Sequence, residues 1–420
     1  MTVEPEVPAN PPAPGDPAVP ANALAPADPQ RAVIVLPSSG EFDGRAHRIA
    51  GGLAARGHDV TIIARSGPDL ADDVRYPSGY RLRRVGRGIH AGLRTPIRQL
   101  RQLEAIARQR AAAIELAPRS PDLIHAMGML GLPVGIAVRD RLGGKLVYDA
   151  RDLYAEAGTL ARLPTPARYF MGLVERRWAR AADRVLTVND ALADLLADRL
   201  GGERPLVVMN TSLPHTAEDP RPRHFHERLN LAAGTPIVLY HGGFSPGRGI
   251  PELIAAMADV PDAHLVLLGY GRLMGDLQAR ALRQDMAGRL SILPAVAPAE
   301  LLDWVASADV VAIPIQGDTL NHRLATPNKL FEALAAGVPV VASDLPGMAP
   351  IVRELDAGVL VDPSRPADIA AGIRTLLETP RDEREATRVR IRKAAAAQYA
   401  WPGQFDRLLL EYARLTGRPW

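Results

Sequence analysis

The chain has 420 residues, 47% apolar and 23% charged, which is the balance of a soluble globular protein with room for two or three domains. Fifty basic residues face 47 acidic ones, and a net charge of +3 is too even to announce nucleic acid as a partner. The absence of cysteine excludes disulfides, thiolate metal sites and cysteine nucleophiles.

Residues 1–30 hold nine prolines, seven alanines, four acids and no base, and read as a disordered tail. With no base before Arg31 and no continuous apolar core, this segment does not read as a signal peptide. No apolar run approaches the roughly 18 residues that span a bilayer. A cytoplasmic protein is expected, with peripheral contact at the inner face of a membrane as an option.

At Arg31 the pattern changes. The run RAVIVL over 31–36 predicts a buried strand that ends in the small-residue loop PSSG. A helix over 46–56 and a second strand over 60–64 follow, an order that predicts a parallel doubly wound sheet. Strands at 122–125, 145–149, 184–188 and 206–209 continue it, with helices over 132–142 and 191–200. A Pro- and His-rich stretch over 211–226 reads as a linker, after which the pattern restarts. Strands are predicted at 236–240, 264–268, 290–293, 310–314, 338–342 and 358–361, with a helix over 250–258. The fold class is therefore α/β: domains over 31–210 and 227–400, and a segment 401–420 carrying an amphipathic helix over 405–415.

The first loop, SSGEFDGR over 38–45, lacks a G-x-G-x-x-G fingerprint, so no dinucleotide site is expected there. Gly40, Asp43 and Arg45 still fall beyond a strand's C-terminal end, where such sheets bind ligands. The alternative is a loop that only turns the chain. The loop HGGFSPGRG over 241–249 is richer: glycines let backbone N–H groups approach an anion, and Arg248 adds a charge-assisted bond.

The string TPNKLFEALAAGVPVV over 326–341 is the most specific in the chain. Pro327 suits a helix's first turn, and Asn328 and Lys329 fall at its positive end, where a diphosphate binds well. Glu332 lies one turn on, suited to ribose hydroxyls, and Gly337 ends the helix.

Together with YHGGFSPGRGIPELIAAM and SADVVAIPI, this string resembles the family-4 glycosyltransferases of the B-type (GT-B) fold, in a PNKLFE-type branch. In the first half GHDVTIIA, DLIHAMGMLGLP, KLVYDARDLYAE, AADRVLTVND and VVMN agree, so the resemblance covers roughly 31–400. It implies two Rossmann-like doubly wound parallel-sheet domains facing a cleft, with a nucleotide-sugar donor on the second and a C-terminal helix returning to the first. Glu332 matches the second acid of the family's E-x7-E motif, which holds the ribose. Asn328 and Lys329 match the diphosphate region, and Arg248 the base of the first Gly-rich loop, beside Gly242 and Gly243.

Two departures stand out. Leu324 occupies the first acid's position, leaving the backbone of Ala325 and Thr326 to hold the donor sugar, and Gly243 replaces an earlier arginine. His125 matches the first member of an H-x-H-like pair whose second member is Met127. A histidine there binds the donor sugar, orients the acceptor, or packs in the core. Arg151, Asp152 and Glu156 are acceptor-side candidates, and Asn210 reads as structural.

The resemblance implies retaining glycosyl transfer with Arg248, Lys329 and His125 as the catalytic set. No D-x-D-like metal site is present, and no cofactor is expected, the nucleotide sugar being a substrate. The acceptor (glycan, lipid-linked or small-molecule) stays open. Rival readings are a non-catalytic nucleotide-sugar-binding subunit and a GT-B-fold epimerase.

One stretch remains. Residues 81–110 carry nine arginines against Glu104, with Ile97, Leu100, Leu103 and Ile106 at near-helical spacing. This reads either as a basic amphipathic helix lying on anionic lipid or as a solvated helix face.

Overall fold

A computed structural model describes residues 28–41, 43–67, 69–85, 98–157, 160–216, 221–283, 286 and 288–420, with the side chains of 98–105 left aside. Nearly all of the expected tail, and positions 86–97 of the basic stretch, lie outside the described residues.

The first half runs β1 (Arg31–Val35), α1 (Gly44–Ala55), β2 (Asp59–Arg65), β3 (Asp73–Arg75), β4 (Arg81–Val85) and α2 (Arg98–Leu116). It continues β5 (Leu123–Met127), α3 (Gly128–Leu142), β6 (Lys145–Asp149), α4 (Thr165–Ala179), β7 (Arg184–Thr187), α5 (Asp190–Leu200) and β8 (Leu206–Val207). The second half opens with α6 (His224–Leu229), β9 (Ile237–Gly243), α7 (Ile250–Ala256), β10 (His264–Tyr270), α8 (Met274–Ala281), β11 (Leu290–Pro294) and α9 (Leu301–Ala306). Then come β12 (Val310–Ile313), α10 (Leu320–Leu324), α11 (Asn328–Ala335), β13 (Val340–Ser343), α12 (Ala349–Glu354) and β14 (Gly358–Val361). Three helices close the chain: α13 (Pro366–Glu378), α14 (Arg381–Gln398) and α15 (Trp401–Thr416).

Two sheets result. The second has the order β11-β10-β9-β12-β13-β14, parallel throughout. This is the doubly wound order in which the strand sequence reverses beside the first strand, opening a crevice between β9 and β12. The first sheet repeats the scheme as β3-β4-β2-β1-β5-β6-β7-β8, with its crevice between β1 and β5 and an antiparallel β3 at the edge. Strands covered on both faces read as unbroken apolar runs, which is why RAVIV, LIHAM and VVAI were legible.

β3 and β4 are corrections. The segment RLRRV that begins the basic stretch is a strand, hydrogen-bonded in parallel to β2. Period-two alternation explains it: Leu82 points into the core while Arg81 and Arg83 point out and pair with Asp73. Arg84 is buried and donates to the carbonyls of Ser39 and Ala71. Further along, Ile106, Ala112 and Ala113 of α2 are buried, so this part of the helix turns its apolar face to the protein. The end of the expected linker is also reassigned, because Phe225 of α6 sits in the core of the second domain.

α15 packs on the first domain. Trp401, Phe405, Leu408, Leu409 and Tyr412 join a core cluster with residues of β1, α1 and β2. Gly52 of α1 permits this close approach, since a Cβ there would stand 2.5 Å from the Phe405 ring.

Candidate functional site

The two crevices face each other across a set of direct links. Asn189 donates through Nδ2 to the Leu324 carbonyl at 2.7 Å and to Thr326 Oγ1 at 2.9 Å. Asn321 accepts from the Leu153 backbone N–H at 2.8 Å and donates to Asp152 at 3.1 Å. Asn210 donates to Asn328 Oδ1 at 2.7 Å. Leu320 and Leu324 of α10 pack against the first domain's core. Leu324 therefore has an apolar contact to make, where an acid would be buried against hydrocarbon.

On the second-domain side, β9 runs three residues past its expected end, into the glycine-rich loop. Gly249 closes the loop at φ +71°, where a Cβ would lie 1.8 Å from the Pro314 carbonyl, so only glycine fits. α11 then delivers Asn328, Lys329 and Glu332. Lys329 is buried, its Nζ standing 3.6 Å from the centre of the Tyr240 ring and opposite Gly242. Burial, reinforced by the charge of Arg248 and opposed by Glu332, pushes its ammonium well below the usual lysine range. Neither Lys329 nor Arg248 has a hydrogen-bond or ion-pair partner among the described residues. A lysine opposite a loop glycine, with the charge of Arg248 and the carboxylate of Glu332 acting on it, is an arrangement that invites an anion.

Glu332 is held from behind. His241, 2% exposed at the end of β9, meets its Oε2 through Nε2 at 2.8 Å, and no partner for His241 Nδ1 occurs among the described residues. Sequence reading passed over His241, although its place just before Gly242 was a signal. It also passed over Arg48, one turn beyond Arg45 on α1. Arg48 stacks on Trp401, donates to Asn210 Oδ1 at 2.5 Å and feels the charge of Glu332. Burial and neighbouring Arg45 bring it down to about 10, so it stays cationic at neutral pH.

Several expectations are corrected. His125 is 1% exposed: Tyr412 Oη meets its Nδ1 at 2.5 Å and Asp149 meets its Nε2 at 3.1 Å, which leaves neither ring nitrogen for a substrate. It belongs to the core, the third of the readings open for it. Arg45, expected on the acceptor side, is equally buried, bonded to Asp149 at 2.6 and 3.3 Å and to the Val208 carbonyl at 2.9 Å. Burial would raise the Asp149 pKa, but Arg45, His125 and Arg151 outweigh it and hold the carboxyl far below the carboxylate range. Gly40 is buried too, its carbonyl 2.5 Å from His47 Nε2. The Thr326 hydroxyl donates to the Gly347 carbonyl and accepts from Asn189, and Ala325 caps α10; the backbone role expected of these two residues is a separate matter from these contacts. Glu156 pairs with Arg168 of α4 at 2.6 Å.

Asp43 and Arg151 remain as the first domain's partly exposed polar pair at the crevice. Asp43 caps α1 by accepting from Ala46 N–H and binds Arg151 through two bonds of 2.9 and 3.0 Å. Burial opposes its charge, yet Arg151 and the capping bond hold its pKa below the usual value. Asp152 sits next to this pair and takes the Asn321 bond. Among the described residues, no three His, Asp or Glu side chains cluster to hold a metal ion.

Comparisons with known proteins agree with this architecture. A family model described as "Glycosyl transferases group 1" matches residues 235–379, and one described as "Glycosyl transferase 4-like domain" matches residues 44–211. A D-inositol 3-phosphate glycosyltransferase of Segniliparus rotundus is 30% identical over 314 residues, covering 70% of this chain and 67% of that protein. Among solved structures, sucrose-phosphate synthase from Thermosynechococcus elongatus superposes with a TM-score of 0.75 at 21% identity, over 92% of this chain and 99% of the other. Anabaena Alr3699/HepE in complex with UDP gives 0.68 at 17% identity, over 92% and 100%. At such identities the two structures speak for the fold alone.

Proposed function

The chain belongs to the family-4 glycosyltransferases of the GT-B fold, and from that membership we propose that it transfers a sugar from a nucleoside-diphosphate donor with retention of anomeric configuration. One observation carries the donor site: Lys329, in the first turn of α11, stands opposite Gly242 with the charge of Arg248 acting on it, and neither cation has an ion-pair partner among the described residues. In this reading the diphosphate supplies the missing negative charge, and Glu332, steadied by His241, takes the ribose hydroxyls.

As the anomeric C–O bond breaks, negative charge builds on the departing phosphate oxygen. Arg248 and Lys329 stabilise that charge from a site fixed beforehand, which is where electrostatic catalysis is strongest. The acceptor oxygen forms its bond to the anomeric carbon on the face that the phosphate leaves, and the phosphate takes the acceptor proton. This scheme asks for no protein nucleophile and no metal, since two side-chain cations do the work of a divalent ion. The acceptor rests on the first domain's side, against Asp43, Arg151 and Asp152.

Donor choice is tested by thermal shift with UDP-, GDP- and ADP-sugars, because a ligand bound only by the folded state raises its stability. UDP-sugars come first, in view of the UDP in the Anabaena complex. Turnover is followed as nucleoside diphosphate released, with and without EDTA. Loss of release in EDTA overturns metal independence, and binding without any release favours a non-catalytic subunit.

A further inference from the structure

Seven large apolar side chains are exposed among the described residues. Tyr270, Leu282, Val389 and Leu410 are scattered, as on any protein surface. The other three lie within five residues of one helix: Tyr169, Phe170 and Leu173 of α4, exposed by 69%, 62% and 44%.

α4 turns large apolar side chains to solvent beside arginines, although Ala179 and Trp178 on its inner side pack on the core. At about 100° per residue, Tyr169, Phe170, Leu173, Arg177 and the C-cap Arg180 share one outward third of the helix, and all are exposed. The opposite side holds Glu175 and Ala179, both buried. Glu175 accepts a 2.5 Å bond from the buried Tyr148 hydroxyl. A carboxylate faces the core while two aromatic rings and a leucine face out, and water gives no reason for that arrangement.

The charge around these rings points to a partner. The segment 160–180 contains Arg162, Arg168, Arg176, Arg177 and Arg180 against the single buried acid Glu175. Arg162, Arg177 and Arg180 are exposed and have no ion-pair partner among the described residues. Aromatic rings flanked by arginines are the composition of a helix lying in the headgroup layer of an anionic bilayer. A protein partner of ordinary composition explains the rings but not the surplus of positive charge around them.

We propose that the outward face of α4 docks the protein onto an anionic membrane surface, with Tyr169, Phe170 and Leu173 inserted among the acyl chains and Arg177 and Arg180 at the phosphates. The surface differs from the 81–110 stretch, whose arginines at 81–84 belong to a strand and whose Ile106 is buried. α4 is also tied to the acceptor side of the crevice: Arg168 pairs with Glu156, which follows Leu153 and its bond to Asn321. A docked bilayer thus lies beside the acceptor-side rim, and a lipid-linked acceptor reaches the crevice from there. That last step alone rests on the transferase reading.

The experiment is flotation of the full chain with vesicles of phosphatidylcholine, and of phosphatidylcholine with about one third phosphatidylglycerol. The wild type is expected to float with the anionic vesicles and to remain behind with the neutral ones. The double variant Tyr169→Ser, Phe170→Ser loses roughly tenfold or more in bound fraction. Arg177→Gln with Arg180→Gln weakens binding most at low salt. Folding is controlled by melting temperature, which exposed positions leave unchanged, and by soluble donor hydrolysis, which stays at wild-type rate because α4 does not touch the donor site. Wild type that fails to float at low salt, or floats equally after the aromatic substitutions, overturns the proposal. So does a concentration-dependent dimer, abolished by the same double variant, in a protein that does not float. Flotation in a protein that releases no nucleoside diphosphate leaves docking intact and removes the transferase reading instead.

Discussion

The two crevices are built on the same strand order, yet they treat charge in opposite ways. Among the described residues at the first crevice, Arg45 meets Asp149, Asp149 also meets His125, and Asp43 meets Arg151. In the second, Lys329 feels the charge of Arg248 and of Glu332, and Glu332 is already engaged by His241. A self-paired cluster has finished its electrostatic work when the chain folds. An unpaired one is destabilising until a ligand arrives, and that difference separates scaffold from the proposed donor site.

Substitutions sharpen the contrast, beginning with the largest effect. Asp149→Ala leaves Arg45 buried and uncompensated, which is expected to cost about 3–5 kcal/mol of stability. Chemical denaturation reads it as a fall in midpoint, and donor affinity per folded molecule should stay near wild type. Lys329→Ala is the mirror image. It removes an uncompensated buried cation, so stability should hold or rise, while turnover falls about 10²–10³-fold. Equal loss of stability in both variants would collapse the distinction between the two crevices.

A third test uses a paired carboxylate that is not stabilising. Burial raises Glu175 from an ordinary 4.5 to about 6, against the opposing pull of Tyr148 and Arg199. Because its folded pKa is raised, its contribution is fully present below about pH 4.5 and is lost as pH rises through 6. The loss is on the order of 2 kcal/mol. Glu175→Gln keeps an acceptor for the Tyr148 hydroxyl and should flatten the stability profile over that window, with the variant more stable at pH 8. A variant less stable than wild type at pH 8 contradicts the burial argument.

Legibility in the sequence follows the same divide. The candidate donor residues stood out because they are local: Asn328, Lys329 and Glu332 fall within five residues, on one turn of one helix. The fold could be read because strands covered on both faces are continuous apolar runs. What hid was set by distance along the chain. His125 looks available until Tyr412, 287 residues later, covers it. Arg45 looks free until Asp149 arrives from 104 residues away. β4 hid for a local reason, since RLRRV carries three arginines in five residues and its strand signal is only the alternation around Leu82. The exposed face of α4 hid because apolar residues at helical spacing are ordinarily core, and only the fold shows which side of the helix faces inward.

The smallest expected effect concerns the contact between the crevices. Leu324 occupies the position where the family carries an acid, and with Leu320 it packs on the first domain while its carbonyl accepts from Asn189. If this leucine holds the lobes together, Leu324→Ala removes part of an apolar contact and leaves the backbone bond untouched. The partly buried side chain is worth about 1 kcal/mol in the closed form, which corresponds to roughly fivefold in the closing equilibrium. Donor binding to the second domain alone barely senses that change, whereas any step that needs both lobes does. KM for the acceptor should therefore rise about fivefold, with the donor dissociation constant nearly unchanged. A rise in the donor constant instead would mean that Leu324 acts within the donor site, in the role of the acid it replaces, and not as a contact between domains.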